Sequence, residues 1–310
     1  MIDNNLESRV TVVDQACSRT ISFAIVMVIY NHIPDVDSLL VGSKYAKKIL
    51  LVDNNSLPII TDSLIKIVNT IGNKCSLIRY SVNKGISGAY NDVISKLKDD
   101  VDYFFMFDHD ATFNSELFER TIVAVNRYEK QKVGVIVPIV ADDRNLMGTN
   151  LGIKEEYSIV NSTITSGIFI NRNLFLKLGG FNTTLFVEAA DYDLTRRISE
   201  AGYLLIRINL VLIIQEFEVP VKTSHLISKI VNSIMIKYRS LIRIKINNCN
   251  IYRTQLSSYN KNREAELFRN LMNLRKSSLF NGFLLSAVIF FDHMELVLVK
   301  IIKKLEKQSQ

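Results

Sequence analysis

The most constraining stretch of this 310-residue chain is Tyr103-Phe104-Phe105-Met106-Phe107, an unbroken aromatic and aliphatic run that stops at once on Asp108-His109-Asp110. A run of this length with no polar interruption suits a strand buried on both faces, as in parallel sheets. Open α/β sheets gather their ligands at the carboxyl ends of the strands, so Asp108 and Asp110 fall where a site is expected. Alternate strand residues point the same way, and two carboxylates so placed can reach one divalent cation. A solvated polar turn has the same composition, and the surrounding sequence has to separate the two readings.

Other apolar runs end in the same manner. Ile21 to Tyr30 reads as a first strand, apolar but for Ser22, ending on Tyr30-Asn31 with His32-Ile33-Pro34 breaking the element. Ile49 to Val52 closes on Asp53-Asn54-Asn55-Ser56. Ile60, Leu64, Ile67, Val68 and Ile71 then recur at helical spacing, and Ser76 to Tyr80 is a short strand. The segment Asn83-Lys84-Gly85-Ile86-Ser87-Gly88-Ala89-Tyr90-Asn91 is a glycine-containing loop opening a helix that runs to about Lys98. Small residues there let backbone amides approach an anion at a helix N-terminus, although a plain turn uses the same residues. The loop is neither a Walker loop nor the G-x-G-x-x-G dinucleotide fingerprint.

Downstream, Ser115 to Glu129 is expected as a helix and Val133 to Val137 as a strand stopped by Pro138. Ala141 to Tyr157 is polar and irregular, long enough for an active-site loop. Thr165 to Ile170 returns to strand character, and the short helix Asn173 to Leu178 ends on Gly179-Gly180-Phe181-Asn182. Glu188-Ala189-Ala190-Asp191-Tyr192-Asp193 begins a helix through about Ala201. Helix capping accounts for one acid there, not for three within six residues. Tyr203 to Ile214 is a last apolar strand or pair of strands.

Charge divides the chain. Residues 1–219 carry 22 basic and 26 acidic side chains, whereas 220–310 carry 16 and 5, a local excess of +11 within a total of +7. The expected organisation is a polar extension over 1–20, an α/β domain over 21–218 and a basic, mostly helical region over 219–310. That last region suits an anionic membrane surface or a solvated helical face. Nucleic acid is disfavoured, because its Lys and Arg alternate with aliphatic residues instead of aromatic stacking platforms. Neither Ile21–Ile29 nor Leu279–Phe291 is long enough to span a bilayer, and the polar start is no secretory signal. Cys17, Cys75 and Cys249 lack metal spacing and read as inert thiols of a reducing compartment.

Taken in order, Tyr30-Asn31, Val52-Asp53-Asn54-Asn55-Ser56, Asn83 to Asn91, Phe107-Asp108-His109-Asp110, Thr165-Ser166-Gly167, Leu178-Gly179-Gly180-Phe181 and Phe186 to Arg197 resemble family 2 glycosyltransferases of the GT-A fold. In detail they look most like the rhamnosyltransferases that build bacterial O-antigens. The resemblance covers roughly residues 21–215 and implies a Rossmann-like, mostly parallel sheet flanked by helices, with the basic helical region appended. It implies a nucleoside-diphosphate sugar donor bound near Tyr30, Asn31, Asp53, Asn83, Lys84 and Gly85. It also implies Mg2+ or Mn2+ on Asp108 and Asp110, and Asp191 as the base, with Asp193 close by.

The implied activity is inverting, metal-dependent transfer of a sugar, rhamnose from dTDP-rhamnose, to a lipid-linked saccharide at the inner face of the bacterial plasma membrane. A cation there neutralises the departing diphosphate, and a carboxylate takes the proton of the acceptor hydroxyl. Two positions depart from the family pattern. The stretch expected to hold a third metal ligand, a histidine, reads Ile213-Ile214-Gln215-Glu216-Phe217-Glu218, leaving Gln215, Glu216 or His225 as substitutes, or the metal held by Asp108 and the diphosphate alone. Ala190 replaces an acid before the base. These departures keep open an alternative: a degenerate GT-A module that binds nucleotide sugar or partner enzymes without turnover.

Overall fold

The computed structural model describes residues 21–97, 101–141, 154–215, 219–220, 251–252, 257–258, 266 and 269–270. The extension 1–20, most of the loop expected over 141–157, Glu216, His225 and the apolar stretches Ile227–Ile246 and Leu279–Phe291 lie outside the described residues.

The first half alternates strand and helix: β1 (Phe23–Ile29), α1 (Val36–Tyr45), β2 (Lys48–Asp53), α2 (Pro58–Ile71), β3 (Cys75–Arg79), α3 (Gly85–Ser95) and β4 (Tyr103–Asp108). These strands lie parallel in the order β3-β2-β1-β4. Every residue of β1 is buried, because helices cover both faces of the sheet. Its side chains alternate between two cores. Phe23, Ile25 and Met27 join Phe105, Phe107 and residues of α1 and α2, while Ala24, Val26 and Val28 join Phe104, Met106 and residues of α3. Helix α1 has no strong apolar periodicity in the sequence; its start is fixed by Asp35, whose carboxylate accepts the Ser38 N–H at 3.0 Å.

The second half contains β5 (Ala111–Thr112), α4 (Ser115–Arg127), β6 (Val133–Ala141), β7 (Tyr157–Val160), β8 (Ile168–Asn171), α5 (Arg172–Lys177), α6 (Ala190–Glu200) and β9 (Leu204–Gln215). It continues the sheet as β4-β8-β6-β9-β5, with β8 antiparallel to both neighbours and β9 parallel to β6. The sheet is therefore parallel on one side and mixed on the other. Pro138 does not stop β6. The ladder shifts register between Pro138 and Ile139, which accommodates the missing N–H, and the strand runs on to Ala141. Among the described residues no helix is long and apolar enough to cross a membrane. Cys75 is buried, and burial lifts its thiol to about 11, which keeps it unreactive.

Candidate active site

The parallel register brings three strand ends level. Val28 of β1 stands beside Val52 and Asp108, and Ile29 beside Asp53. Asp108 closes β4, half-buried, and Oδ2 accepts from Gln215 Nε2 at 2.8 Å. Gln215 sits there because β9 pairs with β5 in the register Ala111↔Gln215, next to the Asp108–Asp110 turn. The ring of His109, between the two acids, stacks on His32 at 4.6 Å, and its Nδ1 accepts the Tyr30 N–H at 3.4 Å. Asp110 lines an open cleft of about 430 Å3 with His32, Asp35, Asp37, Thr112 and Ile214.

The donor-side residues predicted from sequence prove to be strongly interlinked. Asp53 is fully buried, and its carboxylate accepts from the Ser56 N–H (2.8 Å) and Thr61 Oγ1 (2.7 Å), with Arg79 at 3.5 Å. Asn31 adopts a left-handed backbone (φ 52°), accepts the Leu57 N–H and donates its own N–H to Ser56 Oγ, which joins the loops after β1 and β2. Asn54, 2% exposed, shapes the next loop. Its Nδ2 donates to Asn83 Oδ1 and Gly85 O, and its Oδ1 accepts the Lys84 N–H. Three of the amides expected to cradle an anion are therefore engaged within the protein: Lys84 with Asn54, Gly85 with Asn83 Oδ1 and Ile86 with Phe186 O. Lys84 Nζ lies 3.9 Å from the centre of the Tyr80 ring and 3.1 Å from Asp92.

Asp191 and Asp193 face different surroundings, because two positions rotate a helix by more than half a turn. Asp191 sits in the first turn of α6, after Ala189 in a left-handed conformation (φ 67°), and its Oδ1 accepts the Tyr192 N–H at 2.8 Å. Although part of its surface reaches solvent, burial among protein atoms raises its pKa to about 7, against a lowering by that N–H. The charges of Asp108 and Glu188 add smaller increases, which places Asp191 within electrostatic reach of the Asp108–Asp110 turn. Asp193 is buried beneath Arg196 and Arg197, at 3.1 and 2.8 Å, and Arg197 donates onward to Leu178 O and Gly180 O. Its role in the structure is to anchor α6 on the turn after α5.

The sheet edge thus brings Tyr30, Asn31, Asp108, Asp110 and Gln215 close together, with Asp191 near enough to feel the Asp108 charge, while Asp193 is engaged by Arg196 and Arg197. Among the described residues no three His, Cys, Asp or Glu side chains gather as a ready metal site. Gln215 Oε1, however, is buried with no hydrogen-bond partner, alongside a carboxylate. An orphaned carbonyl oxygen beside a carboxylate suits a hard cation, and Asp108, Asp110 and Gln215 are the oxygen donors that this turn could offer one. Asn54, an organiser of the donor-side loop, carries no signal in the sequence beyond its place in the polar cluster that ends β2.

A model of glycosyl transferase family 2 matches residues 24–185, just over half of the chain. The crystal structure of GalNAc-T7 with UDP, GalNAc and Mn2+ matches with a TM-score of 0.52 at 14% identity, over 63% of this chain and 44% of that one. This chain thus covers less than half the length of that protein. No curated protein matches. With strand order, helix placement and family match in agreement, the chain belongs to glycosyl transferase family 2 and has the GT-A fold.

Proposed function

We propose that this family 2 glycosyltransferase is an inverting, metal-dependent enzyme that moves a deoxyhexose, rhamnose from dTDP-rhamnose, onto a lipid-linked oligosaccharide at the cytoplasmic face of the membrane. The observation that carries the reading is Asp191, a carboxylate tuned to about 7 within electrostatic reach of Asp108. A base with that affinity is poised to take a proton near neutral pH. The acceptor oxygen bonds to the anomeric carbon as the bond from that carbon to the diphosphate breaks. Asp191 accepts the hydroxyl proton, and attack opposite the leaving group inverts the centre. Asp108, Asp110 and Gln215 would hold Mg2+ or Mn2+, which supplies positive charge for the departing diphosphate. The Mn2+ in GalNAc-T7 and the carboxylate pair support that cofactor.

The rhamnose assignment is supported by the motif resemblance, and the lipid-linked acceptor by the +11 excess beyond residue 219. The test is a nucleotide-sugar panel by thermal shift with and without Mn2+, followed by transfer assays of Asp191→Asn. Selective stabilisation by dTDP-rhamnose and loss of transfer in the variant are expected. Full activity of Asp191→Asn removes Asp191 as base, and donor binding without turnover on any lipid-linked acceptor favours a binding module.

A further inference from the structure

The start of α3 is fastened to a segment far along the chain. Ile86 donates its N–H to Phe186 O at 2.8 Å, and Ser87 Oγ donates to Leu185 O. Gly85 (φ +68°) lies so close beneath Phe186 that a Cβ would stand 2.3 Å from its carbonyl oxygen. The same segment is gripped again two residues on. The N–H groups of Val187 and Glu188 donate to Glu266 Oε1 at 3.1 and 3.4 Å, and Asn270 Nδ2 donates to Glu188 O at 2.9 Å. Glu266 and Asn270 are each helical and stand four positions apart, and Asn270 is 7% exposed. Leu185 to Ala189 has no strand or helix of its own, so its main-chain groups depend on such partners. A carboxylate accepting two N–H groups is the stronger, charge-assisted kind of bond.

We propose that Glu266 and Asn270 are positioning residues that hold Leu185–Glu188 as a strap, tying the donor-side start of α3 to the start of α6 that carries Asp191. The mechanical link stands on these contacts alone; its catalytic meaning rests on the function proposed above. Glu266, Asn270 and the strap residues Phe186 to Glu188 lie outside the matched span 24–185.

Hydrogen exchange on the full chain tests the strap. In Glu266→Ala, exchange at Val187 and Glu188 should rise tenfold or more, and Ile86, remote in sequence, should rise with them while β1 amides keep their protection. Glu266→Gln, whose carbonyl oxygen can accept the same two bonds, should restore protection. Asn270→Ala should loosen the same amides. UDP and dTDP, titrated with Mn2+ by calorimetry, should bind Glu266→Ala at least fivefold more weakly than wild type or Glu266→Gln. Unmoved Ile86 exchange in both alanine variants overturns the strap, as does a parallel rise in β1, which would indicate general destabilisation. Failure of the functional reading shows differently: the wild type binds neither nucleotide, while the exchange result is read as before.

Discussion

Gln215 Nε2 donates to Asp108 Oδ2 across 2.8 Å while Gln215 Oε1 stays buried without a hydrogen-bond partner. One carboxamide thus orients a carboxylate with its donor end and presents an unused acceptor with its other end. Burial of an unsatisfied carbonyl costs on the order of 1–3 kcal/mol, a cost that ligation of a cation would offset. Gln215→Leu should therefore weaken Mn2+ binding about tenfold or more, as loss of a ligand or its orienting partner does. The measurement is calorimetry or manganese resonance on the full chain with UDP present. Gln215→His should retain binding and shift preference toward softer ions. Unchanged Mn2+ affinity in Gln215→Leu would take this residue out of the donor set.

Asp191 makes a second prediction, on pH. Its pKa lies near 7 in the folded protein, so the carboxylate needed as base predominates only above that value. Transfer should rise with pH along a limb centred near 7, and neutralising Asp108 with bound Mn2+ should lower the midpoint. The stability effect has the opposite sense. The folded state keeps a proton that the unfolded state gives up near pH 4, so stability falls as pH rises from about 4 to about 7. Asp191→Asn should therefore unfold at higher denaturant concentration than wild type at pH 8, by about 4 kcal/mol at most, and at equal concentration below pH 4. Equal stability at pH 8 would mean that the carboxylate is not held in a desolvated setting.

Much of this fold is legible in the sequence because its strands are unbroken apolar runs that stop on polar residues. Tyr103 to Phe107 could only be buried on both faces, and Asp108 marks where β4 emerges. Pro138 misleads for a physical reason: a proline breaks a ladder unless the register slips, and the slip beside it is set by β9, not by local sequence. Proximity along a helix is not proximity in space, and Asp193 illustrates it. It shares a first turn with Asp191 but is committed to Arg196 and Arg197. Asn54, Glu266 and Asn270 left little trace because each works by bonding main chain remote in sequence, and such pairing has no periodicity.

The cluster around Asp92 gives a third prediction. Its carboxyl accepts from Tyr80 (2.5 Å), Lys96 (2.9 Å) and Lys84 (3.1 Å). The Tyr80 hydrogen bond, then that from Lys96, holds its pKa down at about 2. A lowered carboxyl contributes stability above its unfolded value near 4, and that contribution disappears as pH falls through about 2. The group is part-exposed, so solvent screening reduces the effect to roughly 1 kcal/mol. Asp92→Asn should lower stability by about that amount at pH 7 in urea titration and by only a small part of it at pH 2. An undiminished difference at pH 2 would point to packing instead of charge.

Two glycines with positive φ separate backbone strain from crowding. Gly72 (φ +85°) ends α2 with open space around any added Cβ, whereas at Gly85 (φ +68°) the Cβ would meet Phe186 O at 2.3 Å. Alanine at either position meets a positive-φ penalty of about 1–3 kcal/mol. Only at Gly85 must main chain also move, because the obstructing atom is a carbonyl oxygen that already accepts the Ile86 N–H. Gly72→Ala should thus lose about 1–3 kcal/mol in chemical denaturation and keep wild-type affinity for UDP or dTDP with Mn2+. Gly85→Ala should lose clearly more stability and bind nucleotide at least tenfold more weakly, since the loop from Asn83 to Ile86 can no longer seat against Phe186. Equal losses at the two sites, with nucleotide affinity intact in both, would show that the contact with Phe186 does not set the donor-side loop.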